Sequence, residues 1–286
     1  MKKLELKQIS DHIYKLTVET TVGIPIIINT WYVVNGNNVN IIDTGMASYV
    51  DTQIKAAQLL GTPQAIFLTH GHLDHINGAK QLSESLNIPI YAHEKELPYI
   101  NGTLPYPNKH DIDETGVAYK VQPLNHSLTI PFSYYLTPGH APGHVIYYHN
   151  EDDVLICGDL FISHSKSLHP PINKFTYDMK QNINSGSIID KVKPKLITTS
   201  HGDDIIYSEE IYPIYQYTTF RLIIIFNHSS SLFSSILILL YLKFILIGLL
   251  EKNVFIFFIH SNSSQLFPYL FIYILISCIY LQLLFK

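Results

Sequence analysis

Directly after the apolar run Ala65–Leu68, the segment LTHGHLDHING places His70, His72, Asp74 and His75 within six positions. Imidazole nitrogens and carboxylate oxygens are the donors that divalent transition ions take. In extended backbone, residues i and i+2 point to the same side. His70 and His72 can therefore grip one cation while Asp74 and His75 turn toward a second, with Gly71 leaving room for the ion. Two ions need about seven or eight protein ligands plus a shared solvent, more than this loop supplies. His140 in TPGH, Asp159 in GDLF and His201 in SHG are each suitably placed to complete the set. Asp43 in IIDTG can orient a ligand from behind, and His144, four residues after His140, can reach the same loop mouth in a supporting role.

These donors need a frame, and the sequence supplies one. Leu4–Ile9 and His12–Val18 read as strands, and Asn35-Gly36 marks a hairpin between Trp31–Val34 and Val39–Ile42. Antiparallel sheet comes first. Ser48–Leu60 carries apolar residues at helical spacing and stops at Gly61-Thr62-Pro63; Ala79–Leu86 is a second helix. Farther on, Tyr134–Leu136, the hairpin Val145–Tyr148 with Val154–Cys157, and Leu196–Thr199 are strands, the last expected to close a second sheet, and Lys180–Val192 is predicted as one helix. Ligand candidates thus follow four different strands. Lys95–Lys120 and Phe161–Tyr177, rich in Pro, Tyr and Asn, are expected to line the pocket mouth.

Composition narrows the partners. The net charge is −4, charged residues make up 15%, and no basic cluster occurs, so a nucleic-acid partner is not expected. The start of the chain lacks an apolar segment of signal-peptide length. Cys157 and Cys278 are far apart and suggest no disulfide framework. A cytoplasmic protein is the expectation; the oligomeric state is not legible.

The chain divides into 1–210, which reads as a globular domain, and 211–286, an apolar low-complexity tail without Ala or Asp in which Gly248, Glu251 and Val254 are the sole residues of their types. Ser231–Leu250 and Leu266–Phe285 have about the 20 residues a membrane helix needs, which makes membrane attachment the functional reading. Lys243, Pro268 and Gln282 interrupt these stretches, however, and no flanking basic cluster sets an orientation. The depleted residues are those whose codons begin with G, as expected for A/T-rich DNA translated out of frame or past a lost stop. That second reading is favoured, with the tail expected as apolar helices making few contacts with the metal-site half.

THGHLDH with Asp43, His140, Asp159 and His201 resembles, in order and context, the five motifs of the metallo-β-lactamase-fold hydrolases, over roughly residues 1–206. The resemblance implies an α+β architecture, a four-layer αββα sandwich. It implies that His70, His72 and His140 hold one metal, Asp74, His75 and His201 a second, and that Asp159 bridges them. Two divalent ions are implied, zinc first, with iron or manganese as alternatives. A metal lowers the pKa of bound water to roughly 7, so a shared solvent would act as a hydroxide nucleophile oriented by Asp74, on a small-molecule lactone, ester or thioester. The resemblance to compact lactonases and to glyoxalase II-type thioesterases fits this, although the first 206 residues contain no Arg for an anionic glutathione substrate. Two other readings remain: an iron-binding redox or dioxygenase member of the fold, and a membrane-tethered, non-enzymatic metal protein.

Overall fold

A computed structural model describes residues 4–22, 24–107, 109–216 and 219. The chain divides into two units, Met1–Ile225 and Phe226–Lys286. The second lies outside the described residues, as do the two apolar stretches and their expected helices. Among the described residues no helix is long and apolar enough to cross a membrane.

The first unit begins with an antiparallel run of β1 (Leu4–Gln8), β2 (Ile13–Val22), β3 (Ile24–Asn35) and β4 (Asn38–Ile42). β5 (Thr62–Phe67), β6 (Ile90–Ala92) and β7 (Val121–Pro123) then extend the same sheet in parallel. Helices α1 (Val50–Leu60), α2 (Leu73–Ile76), α3 (Ala79–Leu86) and α4 (Leu97–Ile100) fall between these strands. A second sheet has the order β14-β13-β10-β9-β8, built from β8 (Ser133–Leu136), β9 (Val145–His149), β10 (Val154–Ile156), β13 (Leu196–Thr198) and β14 (Ile205–Ile206). A ribbon of β11 (Ile162–His164) and β12 (Ser167–His169), then α5 (Met179–Ser185) and α6 (Ile188–Val192), are inserted before β13.

Strand periodicity sorts the side chains into layers. In β3, Trp31 and Val33 face the second sheet while Tyr32 faces the helices; Phe67 and Ile66 divide the same way in β5, and Tyr147 and Ile146 in β9. This two-residue alternation gives three apolar layers. One lies between the first sheet and α1 and α3, one between the sheets, and one between the second sheet and α5, α6 and the helical residues 211–216. The αββα sandwich expected from the sequence is therefore present. Phe67 sits at its middle, edge-on to Phe132 at 5.1 Å and to Tyr147 at 6.2 Å; burying each such ring contributes about 1.5–3 kcal/mol.

Several sequence expectations are corrected. β3 begins at Ile24 rather than Trp31, because the β-branched run Ile26–Ile28 pairs along β2. β5 includes Pro63, which lacks the ladder N–H and lies at the register shift between Val39 and Asn40 of β4. The helix expected over Lys180–Val192 is broken at Gly186, where a Cβ would meet the Phe161 ring at 3.0 Å. Leu196–Thr198 does not end the second sheet, since β14 pairs outside it. Finally, Tyr212 and Tyr215 are buried in the third layer, so the folded unit continues past residue 210.

Candidate metal centre

β8, β10 and β13 run in one direction in the second sheet, and their C-terminal ends, like that of β5, open on one edge of the sandwich. Hydrogen bonds between the sheets align that edge. Val145 N–H donates to Thr69 O (2.9 Å), Tyr147 Oη to Leu68 O (2.7 Å), and Trp31 Nε1 to Thr198 Oγ1 (3.0 Å). His70, His140, Asp159 and His201, which follow those four strands, therefore converge although they are scattered in sequence.

Donor atoms assemble in three overlapping groups: His70, His72 and His140; Asp74, His75 and His201; and His70, His75 and Asp159. His140 Nε2 lies 3.0 Å from His72 Nδ1. His201 Nε2 is 3.3 Å from both Asp74 Oδ2 and Asp159 Oδ1, and His75 Nε2 is 3.5 Å from Asp159 Oδ1. Ligands at about 2.0–2.1 Å around a tetrahedral ion stand about 3.3 Å apart, so these separations fit donors that share an ion. Asp159 divides its oxygens, Oδ1 toward His75 and His201 and Oδ2 to within 3.2 Å of His140 Nε2.

Atoms on the far side of each ring set its direction. His75 Nδ1 is 2.9 Å from Asp43 Oδ2, and His201 Nδ1 donates to Ile27 O at 2.7 Å. Thr69 Oγ1 donates to Asp43 Oδ2 and so accepts from His70 Nδ1 (3.0 Å); Thr176 Oγ1 donates to Ile172 O and accepts from His140 Nδ1 (3.2 Å). Each outer nitrogen is thereby protonated and each Nε2 turned inward. The buried His70 Nε2, His75 Nε2 and Asp159 Oδ1 have no hydrogen-bond partner. Buried polar atoms left unpaired are costly, and here they point at a common centre. The residues present fit a bound divalent metal.

Protonation divides the site in two. Burial first, and the neighbouring imidazoles second, hold His70 well below the usual range. Burial brings His72 down to about 4 and keeps His140 low despite the nearby Asp159. In the other half, burial opposes the charged imidazoles but the carboxylates outweigh it. Asp159, Asp74 and Asp43 hold His75 well above its usual value, and Asp159 with Asp74 lifts His201 to about 10. Burial likewise works against ionised Asp74 and Asp159, and the facing histidines outweigh it, so both stay below the ordinary carboxylate range.

Asp43, expected as a supporting group, accepts from Thr69 N (2.8 Å) and contacts His75 from behind. His144 supports a loop: its Nε2 accepts the Asp159 N–H at 3.0 Å, so its Nδ1 carries the proton facing Thr137 Oγ1 at 2.9 Å. With that lone pair committed, His144 steadies the Asp159 backbone and does not join the donor group. Gly158 (φ +53°) allows this approach, since a Cβ there would lie 2.7 Å from His144 Nε2. Gly71 is small for a reason other than the one expected. A Cβ at that position would strike Tyr106 Oη at 2.4 Å and Ile100 Cγ1 at 2.7 Å, so the room is taken by protein. Of the two segments expected at the mouth, each places a buried residue against a histidine of the centre: the Tyr106 ring lies 4.7 Å from His72, and Thr176 touches His140. A further group, His12, His149 and Asp152, lies at the opposite end of the strands. Its donors bond one another, with His12 Nδ1 2.6 Å from Asp152 Oδ1 and Asp152 N–H donating to His149 Nδ1, and so pin two hairpins together.

The sequence pattern of the metallo-beta-lactamase superfamily matches residues 23–201, which carry the whole donor set. The chain belongs to the metallo-beta-lactamase superfamily. It is 51% identical over 214 residues to the probable metallo-hydrolase YybB of Bacillus subtilis strain 168, a match covering 74% of this chain and 97% of that protein. It is 34% identical over 130 residues to a hydroxyacylglutathione hydrolase of Klebsiella pneumoniae, covering 45% of each chain. Among solved structures, the DIM-1 metallo-beta-lactamase superposes with a TM-score of 0.59 at 16% identity, over 76% of this chain and 97% of that one; at that identity the likeness is one of fold. As a superfamily member related to metallo-hydrolases, the protein is a hydrolase with a metal-binding His/Asp centre and a small-molecule substrate.

Proposed function

We propose that the protein is a binuclear metal-dependent hydrolase of a small-molecule lactone, ester or thioester. The observation that carries this reading is Asp159, whose two oxygens face two separate donor groups beside unpartnered Nε2 atoms. His70, His72 and His140 would hold one divalent ion and Asp74, His75 and His201 the other, with Asp159 between them. Mixed nitrogen and oxygen donors favour zinc. Bound there, the ions supply a polarising Lewis acid and an acidified water.

The chain's own groups do the rest. Asp74, with a third of its side chain exposed, stands at the mouth with its carboxylate ionised and can orient an attacking solvent. His201 beside it is fixed by Ile27 O, which turns its Nε2 toward the ion it would share with Asp74 and His75. Cys157 is excluded as nucleophile, because it is fully buried and burial pushes its thiol far above the usual range. The likeness to a hydroxyacylglutathione hydrolase supports an acyl bond as the target, while the absence of Arg from the first 206 residues favours a substrate less anionic than glutathione. The near-complete coverage of YybB supports a hydrolase domain that needs nothing from the C-terminal tail. Two separated cysteines, one of them buried and free, suit a cytoplasmic setting.

The test is to reconstitute metal-free protein with zinc, count bound ions, and assay lactones, acyl thioesters and β-lactams side by side. Two ions per chain and turnover of a lactone or thioester are expected. Turnover confined to β-lactams would overturn the substrate class, and a single tightly bound ion in active protein would overturn the binuclear reading.

A further inference from the structure

Glu96 is a carboxylate with no exposure, and it accepts three hydrogen bonds. Gly143 N–H donates to its Oε1 at 2.6 Å, while Gly71 N–H (3.2 Å) and Tyr106 Oη (2.6 Å) donate to Oε2. Gly71 lies between His70 and His72, and Gly143 lies between His140 and His144. One side chain therefore ties the loop after β5, from the first sheet, to the loop after β8, from the second.

We propose that Glu96 is a positioning residue that sets the separation of the two loops supplying His70, His72 and His140, and so tunes metal affinity in that half of the centre. The inference rests on the metal-centre reading above. Three observations carry it. Burying a carboxylate without a cation costs several kcal/mol, and the groups acting on Glu96 are burial and these three donors alone. An apolar side chain would leave the two buried glycine N–H groups and the Tyr106 hydroxyl without an acceptor, so the acid here is tied to the two loops it joins. Both bonded glycines are pressed against the same segment: a Cβ at Gly143 would lie 2.6 Å from Glu96 N, and one at Gly71 would lie 3.4 Å from Glu96 Oε2. The Tyr106 ring that caps Glu96 also packs 4.7 Å from His72. In the other half, by contrast, His75 and His201 take their bearings from Asp43 and Ile27.

Glu96→Gln tests the idea, because an amide keeps the shape but must turn its NH2 toward either the Gly71 or the Gly143 N–H. Residues supporting metal ligands typically change affinity 10–100-fold. Chelator competition with zinc, and cobalt substitution read by visible absorption, should show a fall of about that size in the three-histidine half and less than about threefold change in the other. Tyr106→Phe, which leaves both glycine bonds, should stay close to wild type. In metal-free wild type, the Gly71 and Gly143 amides should exchange slowly with deuterium, a measurement that decides the matter even if Glu96→Gln does not fold. Equal weakening of both halves, unchanged affinities, or unprotected Gly71 and Gly143 amides would each overturn the proposal. Wild type that binds no metal would refute the underlying metal-centre reading instead.

Discussion

In the metal-free centre at pH 6, His75 and His201 carry protons because Asp159 and Asp74 face them, whereas burial keeps His70, His72 and His140 neutral. Two imidazolium charges thus face the carboxylates of Asp74 and Asp159. Loading zinc at pH 6 should then displace those protons and few others. At pH 6 a solvent bound to zinc still holds both protons, since it titrates near 7, and the depressed Asp74 and Asp159 are already ionised. The expected total is about two protons released per pair of ions, mostly from His75 and His201. Five histidines with ordinary values near 6.5 would each be about three-quarters protonated at pH 6 and would release about four. Because protons leave on binding, affinity rises with pH, by up to about a hundredfold per unit for a two-proton exchange. That trend persists until His201 titrates near 10. Calorimetric zinc titrations in buffers of different ionisation enthalpy give the count directly, and the total does not depend on which half fills first. A release near four, or near zero, would refute the electrostatic division of the site.

Asp43→Asn leaves either Thr69 N–H, or both Thr69 Oγ1–H and the His75 ring, facing an NH2; zinc affinity should fall about 10–100-fold, read by chelator competition, and a wild-type value would contradict the support role. Gly158→Ala must hold φ +53° and place a Cβ 2.7 Å from His144 Nε2, costing about 1–2 kcal/mol in the backbone and about 1–3 in overpacking. Its metal-free melting temperature should drop by about 4–20 °C, and no drop would mean that the loop relaxes. A chain ending at residue 225 should fold and hold its metals, whereas one ending at 210 loses Tyr212 and Tyr215, the latter edge-on to Phe161 at 4.9 Å. Each lost aromatic removes about 3–5 kcal/mol from a total of about 5–15, so soluble, metal-binding protein ending at 210 would show that the helical segment is dispensable.

The donor cluster was legible because chemistry is written in residue type and spacing. His70, His72, Asp74 and His75 crowd one loop, and His140, Asp159 and His201 each follow a strand-like run. Local pattern could not say which neighbours would arrive from elsewhere in the chain. Glu94 and Glu96 lie two residues apart in HEKEL with nothing to separate them, yet only Glu96 is driven between two loops, because the sheets converge there and their glycine N–H groups need an acceptor. Gly71 reads as space for an ion, but tertiary packing fills that space with Tyr106 and Ile100. His144 is expected from its spacing in a supporting role, and only the approach of Asp159 N–H shows which group it supports. The end of the folded unit was misplaced for the same reason: the apolar composition beginning at Ile211 resembles the tail that follows, and whether Tyr212 and Tyr215 are core depends on Ile183 and Phe161, which lie tens of residues upstream and meet them only in the packed structure. Residue type and spacing declare which groups can do chemistry, whereas orientation, protonation and support are set by contacts distant in sequence, whose energies exist only once the layers have packed.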